Sequence, residues 1–311
     1  MSSKLRILGP LPVGERTTRP GGAMALIRRR AVLDTARAFA YPENLRAAVE
    51  GMPAAPGVYV FHGDEGDLPL YIGKSVNLRH RVLSHLRNAD EAPMLRQTRR
   101  ISHIRTAGEI GALLLEASMI KQLQPLHNQK LRRSRQLCSL HREDGKLVVV
   151  YSKDVNFATE PELYGLFSSR HAALEALRAL ADAHKLCYGV LGLERLTPGK
   201  PCFRAMVRQC AGACRGDESR EAHDARLLSA LEALRVACWP FAGAVGLVER
   251  HGDDYQMHVI RNWTYVGSVD HPPSASLQAR KLARMAVGFD ADGYKILCKP
   301  ILSGTAEIVP L

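Results

Sequence analysis

Two short alternating runs constrain this chain more than anything else in it. Gly57-Val58-Tyr59-Val60-Phe61 and Pro69-Leu70-Tyr71-Ile72 are joined by His62–Asp67, a segment rich in Gly and Asp. Apolar alternation bounded by turn formers reads as the two arms of a hairpin. Period-two spacing sends Val58 and Val60 to one face and Tyr59 and Phe61 to the other. Tyr59 and Tyr71 then share one face of a sheet, a pocket-forming arrangement. Gly73 ends the second strand, and Lys74 stands at its tip.

A helix is expected to start near Ser75–Asn77, where both residues are N-cap types. Leu78, Val82 and Leu86 make its apolar stripe. Arg81 and His85, one turn apart, fall along one edge of that stripe and point beside the sheet. Further on, Arg96–Arg100 is basic and Ile101–Arg105 reads as a third strand. Thr106-Ala107-Gly108-Glu109 fits a capping box. The helix behind it runs to about Gln122 and ends before Pro125. Glu116 lies inside that helix among Ala112, Leu113, Met119, Ile120 and Leu123, so a carboxylate sits on an apolar stripe. A buried carboxylate is costly unless paired or metal-bound. Two readings follow. One is a structural salt bridge to Arg81 or Lys74. The other is a hard divalent cation, Mg2+ or Mn2+, held by the carboxylate, waters and a substrate phosphate.

This stretch resembles the GIY-YIG nuclease family. Gly57-Val58-Tyr59 stands at the first tripeptide and Tyr71-Ile72-Gly73 matches the second outright. The two tyrosines are twelve residues apart, Lys74 follows, and Arg81 lies ten residues after Tyr71. Asn128, twelve residues after Glu116, completes a five-part match over residues 53–130. The resemblance implies an α/β (α+β) nuclease domain, a small mixed sheet flanked by helices. It implies that Glu116 binds the divalent ion and that Arg81 offsets charge on the scissile phosphate. Tyr59 would orient or deprotonate the attacking water, with Lys74 holding its pKa down, and Tyr71 and Asn128 would position the group. The family often has a tyrosine one helical turn after the arginine. Here that place is His85, for which a supporting role is expected.

Charge points the same way. Lys and Arg total 43 against 31 acids, a net charge of +12, which favours a polyanionic partner such as nucleic acid. At 311 residues with 46% apolar content, the chain has room for two domains and a small third. No apolar run approaches a membrane span. The opening 30 residues form a basic arm without the apolar stretch of a secretory signal. Seven cysteines outside a secretory context point to a reduced cytoplasm, with clustered thiols ligating metal.

Four of those cysteines, Cys187, Cys202, Cys210 and Cys214, fall within 28 residues, the last three as Cys-x7-Cys-x3-Cys. Thiolates at this density suit zinc (Zn2+) or an iron–sulfur cluster. The absence of Cys-x2-Cys knuckles favours iron–sulfur. Arg204, Arg208 and Arg215 lie among them and either face DNA or offset thiolate charge. Arg132, Arg133 and Arg135 either track a phosphate backbone or belong to a solvated linker. A helix is expected at about Ser169–Lys185, with Leu174, Leu177 and Leu180 as its core stripe. Another is expected over about Glu218–Cys238.

The cysteine segment and its flanking helices resemble the region behind the nuclease domain of UvrC, the excinuclease subunit of bacterial nucleotide excision repair. That resemblance implies a 4Fe–4S cluster on the four cysteines. Cys138, Cys238 and Cys298 read as small buried hydrophobes. The tail reads as a meander of Ala244–Glu249, Tyr255–Asn262 and Thr264–Val269. Asp290-Ala291-Asp292-Gly293 then reads as a turn before a strand Tyr294–Lys299, since no Glu closes a calcium loop.

The expected organisation is a basic arm with helices over 1–51 and a nuclease domain over 52–130. Linker strands and a helix follow over 131–185, a helical cysteine-rich region over 186–240, and a β-rich segment over 241–311. The UvrC resemblance extends to the short homologues that lack the second, RNase H-type nuclease domain. It implies a metal-dependent DNA endonuclease cutting 3′ to a lesion, on damaged double-stranded DNA presented by UvrB after loading by UvrA. Two rivals stay open: a GIY-YIG nuclease unrelated to repair, and a non-catalytic DNA-binding module built on a metal cluster.

Overall fold

The computed structural model describes residues 45–64, 69–128, 137–143, 146–285 except 271–278, and 287–311. Arg132, Arg133, Arg135 and part of the hairpin loop lie outside the described residues.

After a short helix α1 (Arg46–Glu50), the first sheet contains β1 (Gly57–His62), β2 (Pro69–Ser75) and β3 (Arg100–Arg105) in the order β2-β1-β3. Both pairings are antiparallel, so the small flanked sheet is in place but not mixed in sense. All six residues of β1 are buried, which means both of its faces are covered. Val58 and Val60 pack with Ile72 and Ile120 on one face. Tyr59 and Phe61 meet Tyr71 and His85 on the other. Helix α2 (Leu78–Arg87) covers that aromatic face. Asn77 caps it, its side chain accepting the His80 N–H at 3.0 Å. After α3 (Ala92–Gln97), α4 (Glu109–Leu123) covers the aliphatic face.

The start of α4 corrects the expected capping box. Gly108 is the N-cap and brings no side-chain bond, while Thr106 turns its hydroxyl to the Gly108 carbonyl at 2.8 Å. Glu109 is drawn to the Lys74 ammonium, at 2.6 Å, so it does not fold back. The N–H groups of Ile110 and Gly111, which the first turn leaves without a partner in the helix, are taken instead by Glu249, far along the chain, at 2.9 and 2.6 Å.

The second sheet is β4 (Cys138–Glu143), β5 (Lys146–Tyr151) and β6 (Leu163–Phe167), ordered β5-β4-β6. Helix α5 (Arg170–Ala183), capped by Ser169, packs against it. Its fully buried stripe is Ala173, Leu177 and Ala181, while Leu174 and Leu180 are half-buried at the flanks. A four-residue helix α6 (Phe203–Met206) lies in the cysteine segment, and α7 (Arg220–Leu231), capped by Ser219, ends sooner than expected in a 3-10 turn, Glu232–Leu234.

The third sheet holds the expected meander, β7 (Val245–His251), β8 (Asp254–Arg261) and β9 (Thr264–Val269). A closing strand β10 (Glu307–Pro310) pairs with β7. The expected strand Tyr294–Lys299 is instead part of helix α8 (Ala291–Leu302). Asp290 caps it by accepting the Asp292 N–H at 3.2 Å, and Gly293, Leu297 and Ile301 line its buried face four residues apart. Leu297 and Ile301 pack in one core with Trp239 and Trp263. No helix among the described residues is long and apolar enough to cross a membrane.

Candidate active site and cysteine cluster

The tips of β1 and β2, the side of α2 and the middle of α4 converge on one polar group of residues. Tyr59 pairs across the ladder with Gly73. A Cβ at Gly73 would stand 2.3 Å from the Tyr59 hydroxyl, so the ring lies over bare backbone. Tyr59 is only 1% exposed. Its hydroxyl is 2.6 Å from His85 Nε2, and His85 is itself 4% exposed. His85 Nδ1 bonds the Glu91 carboxylate, whose Oε1 accepts the Asn88 side-chain N–H at 3.1 Å. Tyr71 is half-buried, its ring centroid 5.6 Å from that of His85. Tyr71, Arg81, His85, Asp90, Glu91 and His127 line a cleft of about 430 Å³.

Glu116 reaches the same place from α4, where it accepts the Lys74 backbone N–H at 3.1 Å. Among the described residues neither Lys74 nor Arg81 forms an ion pair with it, because the Lys74 ammonium is on Glu109. The structural salt bridge is therefore not the reason for this carboxylate. Asn128 serves the backbone of β2. Its amide accepts the Ile72 N–H at 2.9 Å and donates to the Ile72 carbonyl at 2.8 Å. That pair of bonds fixes the strand between Tyr71 and Gly73.

The electrostatics follow from burial. Burial, then the neighbouring Tyr71, pushes the Tyr59 phenol well above its ordinary pKa, while Arg81 beside it opposes. The Lys74 ammonium is paired with Glu109 instead, so the expected lowering of this phenol by Lys74 has no contact to carry it. Burial and the Glu116 charge raise Tyr71, and the Tyr59 hydroxyl and Arg81 oppose. Burial raises Glu116 against the Lys74 N–H and the charges of Lys74 and Arg81. Burial lowers His85, and Glu91 partly restores it. A half-buried carboxylate that keeps a raised pKa and has no ion-pair partner among the described residues suits a hard divalent cation.

Sequence reasoning named Tyr59, Tyr71, Lys74, Arg81, His85, Glu116 and Asn128, and missed Asn88, Asp90, His127 and, most consequentially, Glu91. The signal available was thin: an acid six residues past His85, just beyond the helix end. Its contact depends on the 3-10 turn Ala89–Glu91 folding back over α2, and no periodicity reports that.

The four cysteines also converge. Cys187 and Cys202 have their sulfurs 3.6 Å apart, and the sulfurs of Cys187, Cys202 and Cys214 all lie within 4.8 Å of one another. Cys210 packs against this group. Despite burial, Cys202 is held below the usual thiol range by the Ala205 and Gly189 N–H groups. Burial and neighbouring thiols push Cys210 up to about 11 and Cys214 up to about 12. Thiols this close ionise together only around a cation, so the donor set fits a metal or cluster. Arg204 turns inward, bonding Asp182 at 2.7 Å and lying over the Tyr188 ring, so it neither faces outward nor serves the sulfurs. Cys138 is a buried hydrophobe as expected, whereas Cys238 and Cys298 are only partly buried.

A small sheet carrying this tyrosine, arginine and glutamate set defines a nuclease domain of the GIY-YIG class. Residues 55–129 match the model for the UvrC-like GIY-YIG domain. Residues 129–233 match the UvrC/Cho excinuclease middle domain, and 244–311 the excinuclease Cho C-terminal domain. Excinuclease cho of Escherichia coli (strain K12) is 56% identical over 282 residues, 91% of this chain and 94% of the relative. Excinuclease cho of Salmonella typhimurium (strain LT2) is 54% identical over 290 residues, 92% of this chain and 98% of the relative. A crystal structure of the GIY-YIG N-terminal endonuclease domain of UvrC from Thermotoga maritima, bound to magnesium as its catalytic divalent cation, is 31% identical. It covers 28% of this chain and 97% of that one, with a TM-score of 0.26. The chain belongs to the excinuclease Cho family. It is accordingly an enzyme, a UvrC-like GIY-YIG excinuclease of nucleotide excision repair.

Proposed function

We propose that this excinuclease makes a single incision 3′ to a lesion in double-stranded DNA, with UvrB, loaded by UvrA, presenting the damaged duplex. Glu116 carries the reading: a carboxylate placed beside Tyr71 and Arg81 with no ion-pair partner among the described residues. Mg2+ or Mn2+ held there would offset charge on the scissile phosphate and its leaving oxygen. The chain's own residues do the rest. The Lys74 N–H orients the Glu116 carboxylate. Arg81, exposed at the cleft, binds the phosphate and favours charge developing on it. Tyr71 faces the cleft and is the phenol that meets the attacking water, while Tyr59, fully enclosed, acts from behind it. Asn128 keeps Tyr71 in place through the backbone of β2. The net charge of +12 supports a DNA substrate, and the excinuclease family supports the repair setting. The thiol cluster would hold a 4Fe–4S cluster, or zinc.

The test is an end-labelled duplex with one bulky lesion, incubated with UvrA, UvrB, ATP and magnesium. The expected result is one cut 3′ to the lesion that disappears in Glu116→Ala. Equal cutting of undamaged duplex without UvrA and UvrB would overturn the repair-coupled reading.

A further inference from the structure

His85 is enclosed, has no part in the mechanism above, and lies between two hydrogen-bonding groups. On one side the Tyr59 hydroxyl is 2.6 Å from Nε2; on the other Nδ1 bonds Glu91. A carboxylate accepts hydrogen bonds and cannot donate one, so Glu91 calls for a proton on Nδ1. A neutral imidazole has only that one proton. Its Nε2 is then a bare acceptor, and the Tyr59 hydroxyl must donate to it. Asn88 fixes the carboxylate in turn, through the N–H that it donates to Glu91 Oε1. The remaining charged or titratable groups around the ring, among the described residues, are Tyr71 on β2, Arg81 on α2, and Asp90 and His127 at the cleft wall.

We propose that Tyr59, His85 and Glu91 form a proton relay behind Tyr71, with Glu91 as the positioning residue that sets the His85 tautomer. The proposal rests on the nuclease reading above and deepens it. Burial keeps Tyr59 a phenol at neutral pH, so Tyr59 cannot receive a proton unless it gives one up. His85 Nε2 is the acceptor within reach. As the water oxygen bonds to phosphorus, its proton passes to the Tyr71 oxygen. The Tyr71 proton passes to Tyr59, whose hydroxyl neighbours that of Tyr71, and the Tyr59 proton to His85 Nε2. The bond from phosphorus to the departing sugar oxygen breaks, and its electron pair leaves with that oxygen, which takes a proton from solvent. The imidazolium, stabilised by Glu91, returns its proton along the same path once the product has left.

Two measurements test this on the full chain. The first needs no activity: ring-nitrogen NMR of histidine-labelled protein, with His85 assigned by its loss in His85→Gln. A proton on Nδ1 and a bare Nε2 are expected, and an Nε2–H tautomer would overturn the relay. The second is the rate against pH. Glu91→Gln should cost about tenfold to a hundredfold in kcat, with KM within about twofold. Glu91 raises the His85 pKa, so removing its charge should also move the acid limb to lower pH. In a His85→Tyr background the same substitution should cost nothing further, because a phenol has no tautomer to set. An unchanged kcat and acid limb in Glu91→Gln would overturn the proposal. A failure of the unaltered protein to cut would count against the nuclease reading alone, since the ring spectrum still decides the tautomer.

Discussion

Glu249 on β7 accepts the Gly111 backbone N–H at 2.6 Å, in the first turn of the helix that carries Glu116. The same carboxylate takes the Ile110 N–H at 2.9 Å and His258 Nε2 at 3.0 Å, and Ser268 holds the other side of that imidazole at 2.7 Å. A Cβ at Gly111 would stand 2.5 Å from the His258 ring, so a glycine is needed where helix and sheet come this close. The C-terminal sheet thus supplies the cap that α4 does not supply for itself, and it sets the helix on which the metal-binding candidate rides.

Glu249→Ala should therefore lower stability by about 1–2 kcal/mol, the usual cost of a lost cap, read from urea unfolding. The pH dependence has a definite sign. Burial raises the Glu249 pKa, but His258 and the two amides outweigh it and hold the carboxyl below its usual range. A depressed folded-state pKa means this stabilisation is present above the unfolded value, about 4.3, and is lost as pH falls through the folded value. The acid-side drop in the urea midpoint should shrink in Glu249→Gln; an identical drop would show that the cap carries no charge-dependent stability.

Glu116→Gln should abolish cutting, with a loss of about a thousandfold or more. It should not unfold the protein. Burial raises the Glu116 pKa, so the charged form is the one the fold disfavours at neutral pH. For such an acid, stability falls as pH rises from the unfolded to the folded pKa, and Gln removes that loss. Without magnesium the variant should melt at or above the wild-type temperature. Magnesium at a hundred times its Kd should stabilise the wild type by about 2.7 kcal/mol and the variant hardly at all. Equal stabilisation of both would place the cation elsewhere.

What the sequence made legible was local. The alternation around Tyr59 and Tyr71, the Asn77 cap and the clustering of four cysteines each depend on near neighbours, and each reappears in the fold. Contacts that close across distance were hidden. Nothing near Gly108 announces a cap from Glu249, and nothing near His85 announces Glu91. The segment Tyr294–Lys299 is apolar at alternating places and at every fourth place alike. Its helical state was decided by Leu297 and Ile301 meeting Trp239 and Trp263. Lys74 stands at the strand tip as expected, but its ammonium goes to Glu109, and the groups that most affect the Tyr59 phenol are burial, Tyr71 and Arg81.

Gly73→Ala should be among the more damaging small substitutions in the nuclease domain. The new methyl would stand 2.3 Å from the Tyr59 hydroxyl and 2.5 Å from the ring carbon bearing it. Tyr59 is enclosed and cannot withdraw, so the cost should resemble overpacking, about 1–3 kcal/mol, together with loss of the Tyr59–His85 contact. Gly63→Ala is the control. Its nearest neighbour is a Leu70 methyl at 3.4 Å, an ordinary contact, and it should shift the thermal midpoint little. Similar shifts from the two substitutions would mean that the close approach at Gly73 is not what constrains it.

The cysteine group yields the last prediction. Cys202, held low by two backbone N–H groups, should be the first thiolate to form, while Cys210 near 11 and Cys214 near 12 need a bound cation to ionise at neutral pH. Loading should therefore release protons and weaken steeply as pH falls. Anaerobically purified protein should be brown and carry about four irons per chain. Stripping the metal should leave the nuclease sheet folded but loosen the loop between α5 and α7, because that loop's buried centre is the thiol group itself with Ala205. Hydrogen exchange before and after stripping should show the loss of protection confined to that loop. Colourless protein with stoichiometric zinc would replace the cluster by a zinc site, and protein with neither metal would leave Cys187, Cys202, Cys210 and Cys214 as packed thiols only.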